Sequence, residues 1–379
     1  MKILFLSNGH GEDLIAARLI KEMPQQEIAA LPIVGAGLPY EELGINILGP
    51  RRSLPSGGFI YQSISNMIRD IASGLGKNTL DQIRVLRRQK SEFDLAVCVG
   101  DIVPVIGALF SGLPFVFMGS AKSDHYDYSY TPWEKFILKR YCLMSYLRDQ
   151  KTADNFSKAG IRSVYLGNPM MDCFEVTGED FGLDKTTKVV GILPGSRQDA
   201  KMNLEDIIAA VKELDKMAAQ QNIKIAYLVS VAPTLDITGL TPTLSRPVPS
   251  AVEGVEGSGL NLVFSTKFGD LLERSDIIIG LAGTASEQAA GMGKPIVAFA
   301  GRGVQYTASF AKRQTQLLGE VLSVVKRDPS AVAGEVLSIL TDTKRYQRMS
   351  EVGRSRVSGR GSSRRIAEHI ISIAGAASK

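Results

Sequence analysis

The sequence contains few of the residues that build cross-links or metal cages. Its 379 residues include three cysteines, Cys98, Cys142 and Cys173, and no Cys-x-x-Cys pair. This spacing excludes a disulfide framework and a zinc cage, so we expect a reducing, cytoplasmic environment and no bound metal.

A long hydrophobic run is also missing. The longest apolar tract, residues 94–119, is interrupted by Asp101, Pro104, Gly107 and Pro114. Such breaks favour a strand, a helix and a second strand over a membrane span. The apolar run that follows Met1 is too short for a signal peptide and predicts a first strand.

The common nucleotide and hydrolase fingerprints are absent. Gly35-Ala36-Gly37 lacks the third glycine of a dinucleotide loop, and Gly74-Leu75-Gly76-Lys77 lacks the first glycine and final hydroxyl of a P-loop. There is no Gly-x-Ser-x-Gly elbow and no His-Glu-x-x-His helix. We therefore predict no dinucleotide cofactor, no ATPase and no hydrolase of these types.

What the sequence does contain is a regular alternation of apolar strands and amphipathic helices, arranged in two successive runs. With 44% hydrophobic and 22% charged residues, the chain is long enough for two ordinary α/β domains. We predict an N-terminal domain over 1–168, a linker over 169–187, a second domain over 188–350, and a final helix over about 360–379 that packs back on the first domain. The predicted strands of the first run cover residues 2–7, 27–34, 94–99, 114–118, 143–147 and 164–166. The second run begins at residue 188, and its predicted strands cover 189–192, 223–229, 260–264, 276–280 and 295–300, with a mobile insertion at 236–259.

Positive charge is concentrated in two segments. The net charge is +5, yet residues 51–90 hold eight Lys or Arg against two Asp, and 344–365 hold eight against one Glu. In the first segment an apolar helix face is followed by basic residues, which fits either a core helix with solvated arginines or contact with an anionic membrane surface. Nucleic acid is not an expected partner, because no stacking module accompanies the charge. The face comprises Phe59, Ile60, Ile64, Met67 and Ile68, and the basic residues are Arg51, Arg52, Arg84, Arg87 and Arg88.

Two glycine motifs stand where a predicted buried strand meets a helix. They are Leu193-Pro194-Gly195-Ser196-Arg197 and Gly283-Thr284-Ala285-Ser286-Glu287. Glycine lets the backbone approach a phosphate, and the helix that follows directs N–H groups and its positive dipole end at it. Glu287 would then accept hydrogen bonds from ribose hydroxyls. The alternative is two capped turns without a ligand.

These motifs, with Gly167-Asn168-Pro169 and Gly293-Lys294-Pro295, resemble the bacterial lipid-A-disaccharide synthase family. Phe310-Ala311-Lys312-Arg313 and Arg364-Arg365-Ile366-Ala367 extend the likeness over most of residues 165–375. The resemblance implies a GT-B fold, in which two Rossmann-like domains face each other across a cleft. The N-terminal half differs, because the family opens with a Gly-Glu-x-Ser-Gly-Asp type of loop where this chain has Ser7-Asn8-Gly9-His10-Gly11-Glu12-Asp13.

The resemblance also implies roles for residues of the second half. The Pro-Gly-Ser-Arg loop and the Gly-Thr turn would border the donor diphosphate, and the glutamate would hold the ribose. N–H groups and an arginine can stabilise a leaving diphosphate without a metal. The donor-binding residues are then Gly195, Ser196, Arg197, Gly283, Thr284, Ser286 and Glu287.

The first half offers two candidates for the base that takes the acceptor's proton. His10 lies in a glycine-flanked loop after the first strand, and Asp101 follows a buried strand, where it would otherwise only cap a helix. Asn8, Gly9 and Gly11 are assigned to the acceptor side, together with His125 in a polar aromatic loop. His369, on a helix face, is predicted to be structural.

These observations predict an inverting, metal-independent glycosyltransferase that uses a nucleotide sugar, with UDP the expected nucleotide, and no separate cofactor. The acceptor would be a lipid at the inner face of the membrane, where the protein would bind peripherally. Two alternatives stay open: a non-hydrolysing UDP-sugar 2-epimerase, and a non-catalytic sensor of nucleotide sugars or lipids.

Overall fold

The fold was analysed in a computed structural model. The structure describes residues 1–51, 75–88, 91–126, 129–195, 199–232 and 262–377. For residues 75–80 and 376–377 it describes the backbone alone. The described residues divide into two compact units, unit 1 (residues 1–173 and 360–379) and unit 2 (residues 174–359). The unit boundary at Cys173/Phe174 falls inside the segment predicted as the linker. The predicted helix at 59–71 and the insertion at 236–259 lie outside the described residues.

Unit 1 is built on a parallel sheet. Seven strands of its described part pair in the order β3-β2-β1-β4-β5-β6-β7. The strands are β1 Lys2–Asn8, β2 Glu27–Val34, β3 Asn46–Ile47, β4 Leu95–Gly100, β5 Phe115–Gly119, β6 Cys142–Leu147 and β7 Ser163–Val164. The helices are α1 His10–Lys21, α2 Leu38–Glu42, α3 Leu75–Arg88, α4 Ile102–Ser111, α5 Pro132–Tyr141, α6 Gln150–Lys158 and, from the end of the chain, α13 Ser362–Ala377.

The apolar tract at 94–119 folds as β4, α4 and β5, as its internal breaks predicted. Asp101 ends the strand and caps α4, and Gly112 ends that helix in the left-handed conformation. No helix in the described ranges is long and apolar enough to cross a membrane.

Both faces of the unit 1 sheet are covered by helices, so its central strands are buried along their whole length. One face packs Leu86 of α3, Val105 of α4 and Leu138 of α5 into a single cluster. The other face packs α1 together with Ile366 and Ile370 of α13.

Unit 2 repeats the architecture with six strands among its described residues, in the order β10-β9-β8-β11-β12-β13. The strands are β8 Lys188–Leu193, β9 Ile225–Ser230, β10 Leu262–Ser265, β11 Ile277–Gly280, β12 Ile296–Phe299 and β13 Leu322–Val325. The helices are α7 Ala200–Gln220, α8 Phe268–Arg274, α9 Thr284–Gly291, α10 Ala308–Leu318, α11 Pro329–Thr341 and α12 Thr343–Val357. A short 3-10 helix lies at Gly319–Val321 in unit 2, and another lies at Pro169–Asp172 near the end of the first segment of unit 1.

Candidate functional site

Each unit has one point at which the strand order reverses direction. In unit 1, β1 lies between β2 and β4, so the chain builds outward in both directions from the gap between β1 and β4. In unit 2 the same reversal falls between β8 and β11. Crossover loops leave on opposite sides of the sheet there, and this opens a crevice at the carboxyl ends of the strands where α/β proteins bind ligands.

At the unit 1 reversal, Asn8 and Asp101 are brought together. Asn8 ends β1 and Asp101 follows β4, and the Nδ2 of Asn8 donates a hydrogen bond to Oδ1 of Asp101 at 3.0 Å. The same Oδ1 accepts the backbone N–H of Val103 at 2.9 Å, so Asp101 is also the N-cap of α4. Burial raises the pKa of the Asp101 carboxyl, while these two hydrogen bonds and the nearby Lys122 oppose the rise.

The loop that joins β1 to α1 borders this carboxylate. Gly9 has a φ of 134°, a conformation that residues with a side chain rarely adopt, and it leads directly into α1. His10 and Gly11, in the first turn, are exposed. Glu12 packs against Gly100, where an added Cβ would lie 3.0 Å from its Cγ. Burial and the charge of Asp101 raise the pKa of Glu12, so two carboxyls share this end of the sheet.

Basic and acidic groups after β5 and β6 extend the site, and sequence reasoning did not identify them. Lys122 Nζ lies 2.7 Å from an oxygen of Glu134, whose side chain is buried. Arg148, buried after β6, donates a hydrogen bond to the carbonyl of Ser120 at 2.8 Å. A signal was present, because Lys122 and Arg148 each follow a predicted strand and Glu134 completes a capping box with Thr131.

His125 lies in the loop after β5, on the same strand-end side of the sheet. Its Nε2 is 3.8 Å from the carboxylate of Asp149. Asp149 caps α6 and accepts the N–H of Thr152 at 2.8 Å. The imidazole is therefore held near a fixed, buried carboxylate. Its assignment to the acceptor side stays a prediction.

A fully buried polar network lies beneath the loop between β1 and α1. Ser7 Oγ donates to the carboxylate of Asp13 at 2.6 Å and also contacts the hydroxyl of Tyr40 at 2.6 Å. All three side chains are buried, and burial raises the pKa of Asp13 to about 7. The network ties α1 to the end of β1, immediately before Asn8.

In unit 2, the two predicted glycine motifs flank the strand-order reversal. Gly195 follows β8 with a φ of 101°, and a Cβ there would lie 3.4 Å from the carbonyl oxygen of Leu281, which follows β11. The backbone N–H of Leu281 donates to the carbonyl of Leu193 at 2.9 Å, so the two turns are fixed to one another. Ser196 and Arg197 lie outside the described residues.

The second motif opens α9. No described side chain caps this helix at Gly283, and the N–H groups of Thr284 and the next two residues have no acceptor within the helix. Glu287, in the same first turn, is 8% exposed. Ser286 Oγ is buried and has no hydrogen-bond partner among the described residues. The turn thus brings free N–H donors and Glu287 to the carboxyl end of β11. The Ser286 hydroxyl, predicted to bind the donor, instead faces the strand, because a Cβ at Gly280 would lie 2.9 Å from its Oγ.

Side chains from neighbouring helices brace this turn. The Nε2 of Gln314, on α10, donates to the carbonyls of Ala282 and Gly283, both at 3.0 Å. Tyr306 in turn donates to Oε1 of Gln314 at 2.6 Å. On the β8 side, Asn203 of α7 donates to the carbonyl of Pro194 at 3.0 Å. These bonds hold both glycine turns before any ligand binds.

Comparison with known sequences identifies relatives of this chain. No protein-family model matches the chain. Eight curated relatives do, at 25–29% identity, and all are named lipid-A-disaccharide synthase. The chain resembles the lipid-A-disaccharide synthases. The synthase of Trichlorobacter lovleyi is 26% identical over 242 residues, which are 58% of this chain and 59% of the synthase. The chain thus spans about three fifths of that relative's length.

Comparison with solved structures shows the fold over nearly the whole chain. The calicheamicin glycosyltransferase CalG4 matches with a TM-score of 0.63 and 16% identity, covering 99% of this chain and 98% of its own. The UDP-GlcNAc 2-epimerase of Methanocaldococcus jannaschii gives 0.60 and 13%, with 98% and 100% covered. A UDP complex of S. aureus MnaA gives 0.57 and 16%, with 97% and 95% covered. The fold is therefore α/β of the GT-B class, with two Rossmann-like units, as predicted.

Proposed function

We propose that this protein is an inverting, metal-independent glycosyltransferase of the lipid-A-disaccharide synthase type. It moves a sugar from a nucleotide donor, UDP in the first instance, to a lipid or membrane-associated acceptor. The relatives' name supports transfer to a lipid, and the UDP complex of a protein with the same fold supports the nucleotide.

The observation that carries the proposal is the pair of glycine turns at the reversal between β8 and β11. The first-turn N–H groups of α9 offer hydrogen bonds and the positive end of a helix dipole to a diphosphate. Glu287 lies in the first turn of the same helix, close enough in sequence to accept hydrogen bonds from the ribose of the same nucleotide. Gly195, in the turn after β8 on the other side of the strand-order reversal, has no side chain that would block the approach of a phosphate to the backbone.

Unit 1 contributes the base in this proposal. The oxygen of the acceptor hydroxyl bonds to the anomeric carbon of the sugar, the bond from that carbon to the diphosphate oxygen breaks, and the hydroxyl proton passes to the base. Burial makes the Asp101 carboxylate more basic than a solvated one, which suits it to accept a proton. His10, exposed at the start of α1, remains the second candidate. The leaving diphosphate is stabilised by N–H groups and by Arg197 without a metal.

A transfer assay tests the proposal directly. The protein is incubated with UDP-N-acetylglucosamine carrying a radioactive sugar and with a total lipid extract of the source cells, and label is counted in the organic phase. We expect label to enter lipid with the wild type and to drop to background with Asp101→Asn. Absence of lipid label, with UDP bound, would contradict transfer and favour a non-catalytic sensor.

An epimerase is the second candidate, because carboxyls cluster around Asp101. The charge of Glu134 raises the pKa of Asp101, and the charge of Asp101 raises the pKa of Glu12. Two carboxyls with raised pKa values, Asp101 and Glu12, could remove and return the proton at C2 of a sugar. The fold is shared with a UDP-GlcNAc 2-epimerase. Incubating the protein in D₂O with UDP-N-acetylglucosamine alone decides between epimerisation and transfer. Deuterium at the sugar C2 supports the epimerase, and its absence together with lipid labelling supports transfer.

A further inference from the structure

Helix α5 has two unlike sides. Its inward side carries Glu134 and Leu138, both about 1% exposed. Three aromatic residues of α5 are exposed: Trp133 at 49% and Phe136 at 65% on the outward side, and Tyr141 at 48% where the helix ends. Three large aromatic side chains that expose about half or more of their surface within ten residues form an apolar patch, and such patches mark interaction sites.

The same outward side is basic. Lys139 and Arg140 are exposed, and the guanidinium of Arg140 lies 5.3 Å from the centre of the Tyr141 ring. The one acidic residue of the helix, Glu134, is turned inward and paired with Lys122. The outward side therefore presents aromatic rings and positive charge without a competing carboxylate.

Neighbouring helices expose similar groups on this side of unit 1. α3, α4 and α5 all pack their inward residues into the cluster on one sheet face. On α4, Phe110 is 42% exposed, and the guanidinium of Arg87 from α3 lies 5.9 Å from the centre of its ring. Aromatic and basic groups thus recur on three helices over the same face.

This combination has a specific physical match. Trp and Tyr rings favour the headgroup level of a bilayer, where an apolar body is buried and a polar edge stays wet. Each basic residue adds about 1 kcal/mol of attraction to an anionic lipid surface, roughly a fivefold gain in affinity. Protein interfaces are also rich in aromatic residues and Arg, so the rings alone do not select lipid. The charge does, because an anionic lipid surface neutralises the cations of a helix that exposes no carboxylate.

The position of α5 connects such a surface to the candidate acceptor site. Glu134 reaches inward from the first turn of α5 to Lys122. The charge of Lys122 lowers the pKa of Asp101, and the charge of Glu134 raises it. The helix that would rest on lipid is therefore the helix that carries a buried part of the site. An acceptor held in a membrane would arrive close to the base without leaving the bilayer surface.

We infer that the outward side of α5, formed by Trp133, Phe136, Lys139 and Arg140 and continued by Tyr141 at the end of the helix, docks on an anionic lipid bilayer. Its purpose, presentation of a lipid acceptor to Asp101, rests on the proposed function. The docking itself stands on the exposure and charge of the helix.

Trp133 is the only tryptophan in the sequence, so tryptophan fluorescence reports on α5 without a label. Emission of the full-length protein is recorded with vesicles of phosphatidylglycerol, with vesicles of phosphatidylcholine, and with phosphatidylglycerol vesicles brominated on the acyl chains. We expect a blue shift with phosphatidylglycerol alone and quenching by the brominated lipid. Binding without a shift, or an equal shift with both lipids, would overturn the inference.

Matched variants test the aromatic and basic contributions separately by vesicle sedimentation. Phe136→Ser with Tyr141→Ser is compared with Leu14→Ser and Leu38→Ser, two exposed apolar residues whose helices α1 and α2 pack on the other sheet face. Lys139→Glu with Arg140→Glu is compared with Lys212→Glu and Lys326→Glu in unit 2. We expect each α5 pair to bind phosphatidylglycerol at least tenfold more weakly and the control pairs to match the wild type.

Two readouts separate this inference from the function itself. UDP affinity of the α5 variants, measured by calorimetry, is expected to be unchanged, and a wild type that binds vesicles but not UDP would refute the proposed donor and leave the docking surface standing. Sedimentation velocity tests a second copy as the occupant. A dimer that dissociates in Phe136→Ser/Tyr141→Ser, without vesicle binding by the wild type, would overturn the inference.

Discussion

Replacement of Glu287 tests the donor site most sharply. The side chain is 8% exposed in the first turn of α9, so its carboxylate is shielded from bulk water. If it accepts two hydrogen bonds from ribose hydroxyls, Glu287→Ala should weaken UDP binding by at least about 1.5–3 kcal/mol, because a single bond to a charged acceptor contributes this much. This corresponds to a roughly tenfold to 150-fold rise in Kd. Glu287→Gln keeps one acceptor oxygen and should lose about half of that free energy.

Titration calorimetry with two ligands separates the ribose contact from a general loss of the site. Pyrophosphate has no ribose, so Glu287→Ala should bind it as well as the wild type, or better once a negative charge is removed. Glu273→Ala, an exposed glutamate on α8, serves as the matched control. Thermal unfolding checks that each variant is folded. Unchanged UDP affinity in a folded Glu287→Ala protein would refute the ribose role.

Four further predictions concern the base, the buried network, the basic helix and the packing of unit 2. Alanine at Asp101 or at His10 should lower kcat for transfer about 100-fold with little change in UDP affinity; a variant with full activity eliminates that residue as the base. Asp13 keeps its proton in the folded state up to its pKa of about 7, whereas the unfolded chain loses it near the ordinary value of 3.8. The free energy of unfolding should therefore fall by roughly 2–4 kcal/mol between about pH 4 and pH 7, and urea titrations should find this fall missing in Asp13→Asn. Arg87→Glu with Arg88→Glu, both exposed on α3, should weaken sedimentation with anionic vesicles at low salt and have little effect at high salt; equal binding at low salt would remove α3 from the membrane surface. Gly269→Ala would put a Cβ 1.8 Å from the carbonyl oxygen of Glu175, so it should destabilise unit 2 by about 1–3 kcal/mol, whereas Gly334→Ala, whose nearest neighbour is at 4.0 Å, should not destabilise it in the same denaturant titration.

Sequence alone was enough to predict the strands that are buried on both faces. β4 and β11 are continuous apolar runs because helices cover both sides of a parallel sheet, and such runs are easily recognised. The edge strands β7 and β10 were also predicted, but the edge strands β3 and β13 gave no such signal. β3 has two residues, and β13 leaves Val324 43% exposed, so neither shows an uninterrupted apolar run.

The candidate site also has a part that the sequence predicts and a part that it does not. Glycine motifs such as Gly283-Thr284 are local, and a local pattern is enough to place them at a strand end. Partnerships across the fold are not local: Asn8 bonds Asp101 from 93 positions away, and Gln314 braces Gly283 from 31 positions away. The pairing of Lys122 with Glu134 also depends on how α5 docks on its sheet, which spacing alone does not reveal. Strand order, which sets where the chain reverses, had to come from the structure.

The return of α13 to unit 1 has a consequence for how the protein is made. Ile366 and Ile370 complete a core that otherwise consists of residues before Cys173, and Tyr146 meets His369 across 223 positions. On a ribosome, the N-terminal unit must wait for all of unit 2 to be translated, roughly 10–40 s at ordinary elongation rates, before this face is covered. A nascent chain would therefore hold an exposed apolar surface through the second half of its synthesis. A chain released without α13 would leave that surface open. Chaperones and proteases should therefore recognise such a product at the N-terminal part of unit 1, although the missing residues are at the other end of the chain.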